Sequence, residues 1–195
     1  MALGETRQRI LDEARDLYVE AGMSGFSMRK VAERVGVTAT ALYRHFESKE
    51  ALLLAVLEAG YDLLSHHLVR AVEGATPRQR LERSGELYAR FAVENPAFYR
   101  IMFMASHEDF GFEKLEEHNA SNQRTFRMLV DRVRECQEDG CLRRGDAREL
   151  ARLLWALSHG LASLYLTARF RDHDDDSFVR YCVKARADLV RGLAP

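Results

Sequence analysis

The sequence predicts an all-α chain, and three observations carry that prediction. Apolar residues recur at three- and four-residue steps over most of the length, no stretch alternates with the period of two that a half-buried strand needs, and helix-starting residues stand at the head of several apolar runs. Three prolines and twelve glycines in 195 residues are too few for a loop-rich or disordered chain.

The elements follow in order. Ile10, Leu11, Ala14, Leu17, Tyr18 and Ala21 form the inner stripe of a first helix ending near Gly22. Ser27 has the side chain of an N-cap and opens a short second helix with Val31, Ala32 and Val35 on its inner face, closed by Gly36. Thr38 caps a shorter third helix. Ser48 starts a fourth that runs to about Gly74, and at 1.5 Å per residue an unbroken helix of that length spans roughly 40 Å. "TPRQ" (Thr76 to Gln79) joins an N-cap threonine, a proline at the first helical position and a capping-box glutamine. "NPAF" (Asn95 to Phe98) repeats the cap-plus-proline device. A largely polar helix is expected over about Leu115 to Glu138, stopped by Gly140. "DARE" (Asp146 to Glu149) reads as a further capping box before Leu150, Leu153, Leu154, Leu157, Leu161 and Tyr165. The acidic Asp172–Asp176 run is a turn, and Phe178, Tyr181, Cys182, Ala185 and Leu189 mark a last helix.

Composition narrows the function classes. Hydrophobic residues make up 47% and charged residues 30%, as in ordinary globular domains, and the formal net charge is −1, so nucleic-acid binding needs a local basic patch. Phe26 to Lys49 supplies one: Arg29, Lys30, Arg34, Arg44 and Lys49 stand against Glu33 and Glu47. Cys136, Cys141 and Cys182 are an odd set without C-x-x-C spacing, which fits a reducing compartment. No leader-like run opens the chain, and the apolar stretch "ALLLAVLEAGYDLL" is interrupted by Glu58 and Asp62 and too short to span a bilayer. The expectation is a cytoplasmic protein with no membrane partner.

Two short helices joined by a tight glycine-containing turn fit a helix-turn-helix, whose second helix enters the major groove of DNA. Residues 6 to about 60 resemble the DNA-binding domain of TetR-family transcriptional regulators, through "RILDEARDLYVEAG", "FSMRKVAERVGVT" and above all "ALYRHFESKEALL". "WALSHG" (Trp155 to Gly160) resembles a Trp-x-x-x-His-Gly signature of one subset of that family's ligand-binding domains. The resemblance implies a DNA-binding domain over 1–60 and a helical effector-binding and dimerisation domain over 61–195. It implies phosphate contacts by Tyr43, His45 and Lys49, joined by the hydroxyls of Ser27 and Thr38. Base reading would fall to Ala39, Thr40, Ala41 and Arg44 with help from Arg29: methyls for thymine, a guanidinium fork for guanine. The plain alternatives are a core role for Tyr43 and capping alone for Ser27 and Thr38. Leu42, Phe46, Val31 and Val35 are packing residues.

In the second domain the stripes of the last two long helices suit a four-helix bundle about a two-fold axis, or only their own core. Tyr61, Tyr88, Phe91, Met102, Phe103, Asn122, Phe126, Trp155 and His159 are the candidates for contacting an apolar or planar effector. The expected function is a homodimeric regulator, a repressor before an activator, that binds a palindromic operator in double-stranded DNA and is released by a small molecule. No cofactor or metal is called for. The Asp172–Asp176 run lacks the spacing of a calcium loop. A redox- or metal-sensing regulator using Cys136 and Cys141 stays open as an alternative. An all-α enzyme finds little support, since the histidines of "SHED" (Ser106 to Asp109) and "HHL" stand outside any catalytic constellation.

Overall fold

Helix is the only regular structure among the residues that the computed structural model describes, which are 3–105, 112–170 and 172–195, with side chains over 5–105, 123–170 and 172–195. The helices are α1 (Leu3–Gly25), α2 (Met28–Val35), α3 (Ala39–Tyr43), α4 (Lys49–Val69), α5 (Pro77–Glu94), α6 (Pro96–Phe103), α7 (Phe112–Glu138), α8 (Ala147–Leu166) and α9 (Asp175–Gly192). The "SHED" stretch lies outside the described residues.

The caps expected at Ser27, Thr38, Ser48 and Thr76 are made. Ser27 accepts from the Lys30 N–H at 3.3 Å, Thr38 from Ala41 at 3.1 Å, and Ser48 from Ala51 at 3.1 Å. At α5 both halves of the capping box form: Thr76 Oγ1 accepts from the Gln79 N–H, and Gln79 Oε1 accepts from the Thr76 N–H. Each such bond satisfies an amide that the helix geometry orphans. Asp146 departs slightly from expectation, for its carboxylate takes the Arg148 N–H at 2.7 Å, one position short of the capping-box amide. Asp174 caps α9 through the Ser177 N–H at 2.7 Å.

Two long helices depart from the sequence reading. In α1 helical assignment continues to Gly25, with a kink at Gly22, whose φ is 60°. The fourth helix is not continuous to Gly74: α4 ends at Val69 and tightens into a 3₁₀ turn, Arg70–Glu73. Tightening of this kind is common at helix C-termini, because it re-pairs carbonyls left without an i+4 partner.

The chain divides into two compact units, Met1–Asp62 with Ala97–Ser121, and Leu63–Pro96 with Asn122–Pro195. The division falls within α4, two residues beyond a sequence boundary at 60, and α6 belongs to the first unit. In that unit Ile10, Leu11, Leu42, Leu52 and Leu53 are fully or almost fully buried. Each such side chain contributes roughly 1.5–3 kcal/mol of burial free energy. Arg15 lies 4.7 Å from the Phe98 ring centre and pairs with Asp12 and Asp16. By length and composition Lys49–Glu73 is apolar enough to cross a membrane. That run is longer than the one read from sequence, but its Leu52, Leu53 and Val56 are wholly buried within the fold, as in a core helix.

In the second unit α5 packs on α8 and α9, and α8 on α9. One core cluster gathers Leu81, Val130, Val133, Leu150, Leu154 and Val190. A second joins Ala89, Leu161, Phe178, Val179 and Cys182, with Tyr165 stacked on Phe178 at 4.1 Å between ring centres. The Arg80–Glu135 ion pair at 3.0 Å ties α5 to α7.

Candidate nucleic-acid interface

The turn between α2 and α3 is built by glycine. Gly36 has φ 76°, in the left-handed region that costs a side chain most, and this lets the Val37 N–H reach back to the Ala32 carbonyl at 2.9 Å. Met28, Val31, Ala32 and Val35 of α2 and Leu42 of α3 are buried, so the two helices share one apolar seam. Thr38, Ala39, Thr40, Tyr43 and Arg44 are left on the outside, with Ala41 and His45 half-buried. Tyr43 is 53% exposed while Leu42 beside it is 0%. The core reading of Tyr43 is therefore set aside. Phe46, Val31 and Val35 are buried, as their packing role requires.

Ser27 and Thr38 are caps in fact. Capping uses a lone pair of the hydroxyl oxygen, so the O–H hydrogen stays available to donate, and the two readings of these residues are compatible.

Among the described residues the basic side chains sort into committed and uncommitted ones. Arg34 is held by Glu20 across to α1, and Lys30 donates to the Gly25 carbonyl at 2.9 Å. Arg29 is highly exposed but pairs with Glu33 at 3.0 Å, so base reading by Arg29 requires that pair to open. Exposed pairs are worth only about 0–1 kcal/mol, a small barrier. Arg44 and Lys49 are in no ion pair among the described residues. Neither is Arg7, an exposed residue of α1 that the sequence reading did not single out; its guanidinium lies 5.3 Å from the Phe46 ring centre. Phe46 sits between His45 and Lys49, so this contact brings a further cation to that end of the motif. Nothing local in the sequence signals it, since 39 positions separate the two residues.

The effector candidates fall in both units. Tyr61, Met102 and Phe103 are in the first, where Tyr61 and Phe103 meet edge to face at 6.0 Å and burial pushes the Tyr61 phenol up to about 12. Tyr88, Phe91, Phe126, Trp155 and His159 are in the second. There the Tyr88 hydroxyl lies 3.2 Å from His159 Nδ1, Trp155 lies 5.4 Å from His159, and Phe126 lies 6.2 Å from Trp155. Burial lowers the His159 pKa, favouring the neutral ring. Phe91 is fully buried against His67. The Asn122 side chain lies outside the described residues. Among the described residues a Cβ built at Gly160 meets nothing within 4 Å, so none of their helices approaches closely at that glycine. Cys136 is buried and burial drives its thiol up, with Cys141 as a hydrogen-bonding neighbour; Cys182 is pushed up to about 12. Such thiols are poor thiolate sensors.

Comparison with known proteins agrees with this arrangement. Residues 10–56 match the family described as bacterial regulatory proteins, tetR family, and residues 81–185 match the tetracyclin repressor-like C-terminal domain. The transcriptional activator FasR of Mycolicibacterium smegmatis is 35% identical over 100 residues, 51% of this chain and 46% of that protein. The transcriptional repressor KstR of Mycobacterium tuberculosis is 36% identical over 102 residues, 52% of this chain and 46% of that one. The match thus spans about half the length of these curated relatives. The crystal structure of the TetR-family transcriptional regulator PfmR from Thermus thermophilus superposes with a TM-score of 0.75 at 26% identity, over 96% of this chain and all of that one. The first of these relatives is an activator and the second a repressor, and with both halves of the chain matched by family models the chain belongs to the TetR family of transcriptional regulators.

Proposed function

We propose that two copies of this chain bind a palindromic operator through α3 and the residues flanking it, and that a small apolar or aromatic effector releases them. The observation that carries the reading is the pair of uncommitted cations, Arg44 and Lys49, beside the exposed Tyr43 on a helix whose inner side is wholly buried. Tyr43, His45 and Lys49, with the hydroxyls of Ser27 and Thr38, hold phosphates. Ala39, Thr40, Ala41 and Arg44 face base edges, and Arg29 joins them once free of Glu33. One short helix reads only a few base pairs, so a two-fold pair of sites is mechanically needed for useful specificity.

The surface of the second unit supports the dimer. Leu153 and Leu164 on α8 and Tyr181 and Val183 on α9 are exposed large apolar residues, between 37% and 49% open. Leu153 and Leu164 are eleven residues apart, close to three full turns, and so lie along one line of α8. A second copy covering that line would form the four-helix bundle expected of the last two helices. The effector candidates Tyr88, Phe126, Trp155 and His159 lie in the same unit, and Tyr61, Met102 and Phe103 on or beside the part of α4 that belongs to the other. A coupling of about 1–3 kcal/mol, usual in allostery, changes operator affinity roughly 5- to 150-fold. Repression is favoured over activation, in the manner of KstR.

The test is selection of bound fragments from the source genome, followed by a salt titration on the best of them. A palindromic site whose affinity falls steeply with salt is expected. Arg44→Ala should cost about 1–3 kcal/mol at one base position and relax preference there. Lys49→Ala should weaken all sequences alike. No enrichment at low salt would defeat the reading.

A further inference from the structure

Arg186 of α9 is a charged side chain placed where charges are seldom left alone. It is 4% exposed, between α5, α8 and α9 of the second unit. Its Nη1 donates to the Leu154 carbonyl at 3.1 Å and to Ser158 Oγ at 2.9 Å, and its Nη2 donates to Ser84 Oγ at 3.3 Å. All three acceptors are neutral. Nε has no partner. Of the five N–H groups of a guanidinium, the Nε–H and one on Nη2 are therefore unspent. Among the described residues no carboxylate stands at ion-pair distance. Glu82 exerts a favourable field but is itself engaged by Arg78 at 3.0 Å.

The neighbours do not need this arginine. Ser84 already donates to the Leu81 carbonyl at 2.6 Å, and Ser158 to the Leu154 carbonyl at 3.0 Å. Burial lowers the guanidinium to about 10, which leaves it charged at neutral pH. A buried cation that lacks a counter-charge is costly, and proteins hold such groups where they serve a purpose. Room for it is made by Gly85, since a Cβ there would stand 2.1 Å from Arg186 Cδ and 2.3 Å from Nε. The site adjoins the aromatic candidates. Tyr88 is one turn beyond Ser84 on α5, and His159 follows Ser158 on α8, where Trp155, met by Phe126 of α7, continues the aromatic surface.

We infer that Arg186 anchors the anionic end of the effector, which narrows the effector to an amphipathic carboxylate: one anionic head on an apolar or aromatic body. The inference rests on the effector reading given above. Two spare N–H donors match the two oxygens of one carboxylate, and the incoming charge supplies what the three neutral acceptors do not. The aromatic group beside it takes the body.

The full chain is titrated with two matched pairs, decanoate against decan-1-ol and 1-naphthoate against 1-naphthalenemethanol, at constant ionic strength, reading the melting temperature and the release of operator DNA. The acid of at least one pair should bind roughly 10- to 100-fold more tightly than its alcohol, the range set by hydrogen bonds to a charged group. Arg186→Met should bind acid and alcohol alike and melt, without ligand, no lower than the wild type, because the serines keep their own bonds and a buried charge is gone. Arg186→Lys, which keeps the charge without the fork, should retain part of the preference if the methionine variant fails to fold. Equal binding of acid and alcohol by the wild type overturns the anionic anchor and leaves the effector reading standing. A ligand-free methionine variant that folds but melts well below the wild type makes Arg186 a structural latch and also overturns it. Absence of any shift or release with all four compounds counts against both.

Discussion

The two units treat their polar side chains in opposite ways. In the helix-turn-helix, Tyr43 and Arg44 stand in solvent next to a buried Leu42, and the bonds that define the motif span three to five residues. In the second unit Tyr88 meets His159 across 71 positions, and Arg186 meets Ser84 across 102. A hydrated cation can be left unpaired at almost no cost, so a recognition helix can wait with its donors unspent. A buried one cannot, and among the described residues the buried side-chain nitrogen and oxygen atoms without a partner are the Arg186 Nε and His173 Nδ1. The lesson is that a surface reader is specified locally, while an interior site is specified by the packing of distant helices.

The largest expected effect breaks the first unit at its seam. Leu42→Ala empties a fully buried position in a five-residue helix, and a truncation of this kind costs about 2–5 kcal/mol. Operator binding should be lost. Trp155, the one tryptophan of the chain, sits in the second unit and reports on that unit alone. In a urea titration the fluorescence midpoint should stay near the wild-type value while the circular-dichroism transition broadens toward lower urea. Coincident transitions would mean that the units unfold together and that the contrast between them is one of surface chemistry only.

The same contrast explains what the sequence made legible. The caps at Ser27, Thr38, Ser48 and Thr76 are each a residue type plus a spacing of three, so they could be read directly, whereas the Asp174 cap lies hidden in a run that reads only as an acidic turn. So could the exposure of Tyr43 and the burial of Leu42, which follow from helical period. The end of α4 at Val69 was not legible, because the tightening into a 3₁₀ turn needs no marker residue before Gly74. Arg7 was missed because its partner Phe46 lies on another helix. Arg186 was missed for a stronger reason. In the last helix it occupies the apolar stripe of Phe178, Cys182 and Leu189, where an arginine reads as a solvated exception, and only the packing of three helices shows that it points inward.

A sharper probe of interior specification is one substitution made twice. Alanine for glycine in a helix gains about 1 kcal/mol from propensity alone. At Gly160, where a Cβ meets nothing within 4 Å, Gly160→Ala should show that gain as a higher melting temperature. At Gly85 the new methyl collides with Arg186, and overpacking costs about 1–3 kcal/mol, so Gly85→Ala should melt lower despite the better propensity. Opposite signs would confirm that space at Gly85 is reserved for the arginine. A loss at Gly160 instead would show that something outside the chain, such as a second copy, approaches that face.

The smallest effect tests whether the outer reader extends beyond the motif. Arg7 is exposed, in no ion pair among the described residues, and placed over Phe46 between His45 and Lys49. If it holds a phosphate, Arg7→Ala should lower affinity for operator and unrelated DNA alike and reduce the slope of log affinity against log salt by about one. If its role is only the stacking contact, the slope stays as it was, and the loss is about 0.5–1 kcal/mol of folding stability, the worth of an exposed cation–π pair. Lys49→Ala measured alongside separates the cases. A slope that falls for Lys49 and not for Arg7 confines the phosphate surface to the helix-turn-helix. A slope that falls for both carries that surface onto α1, and the reader is then no longer wholly local.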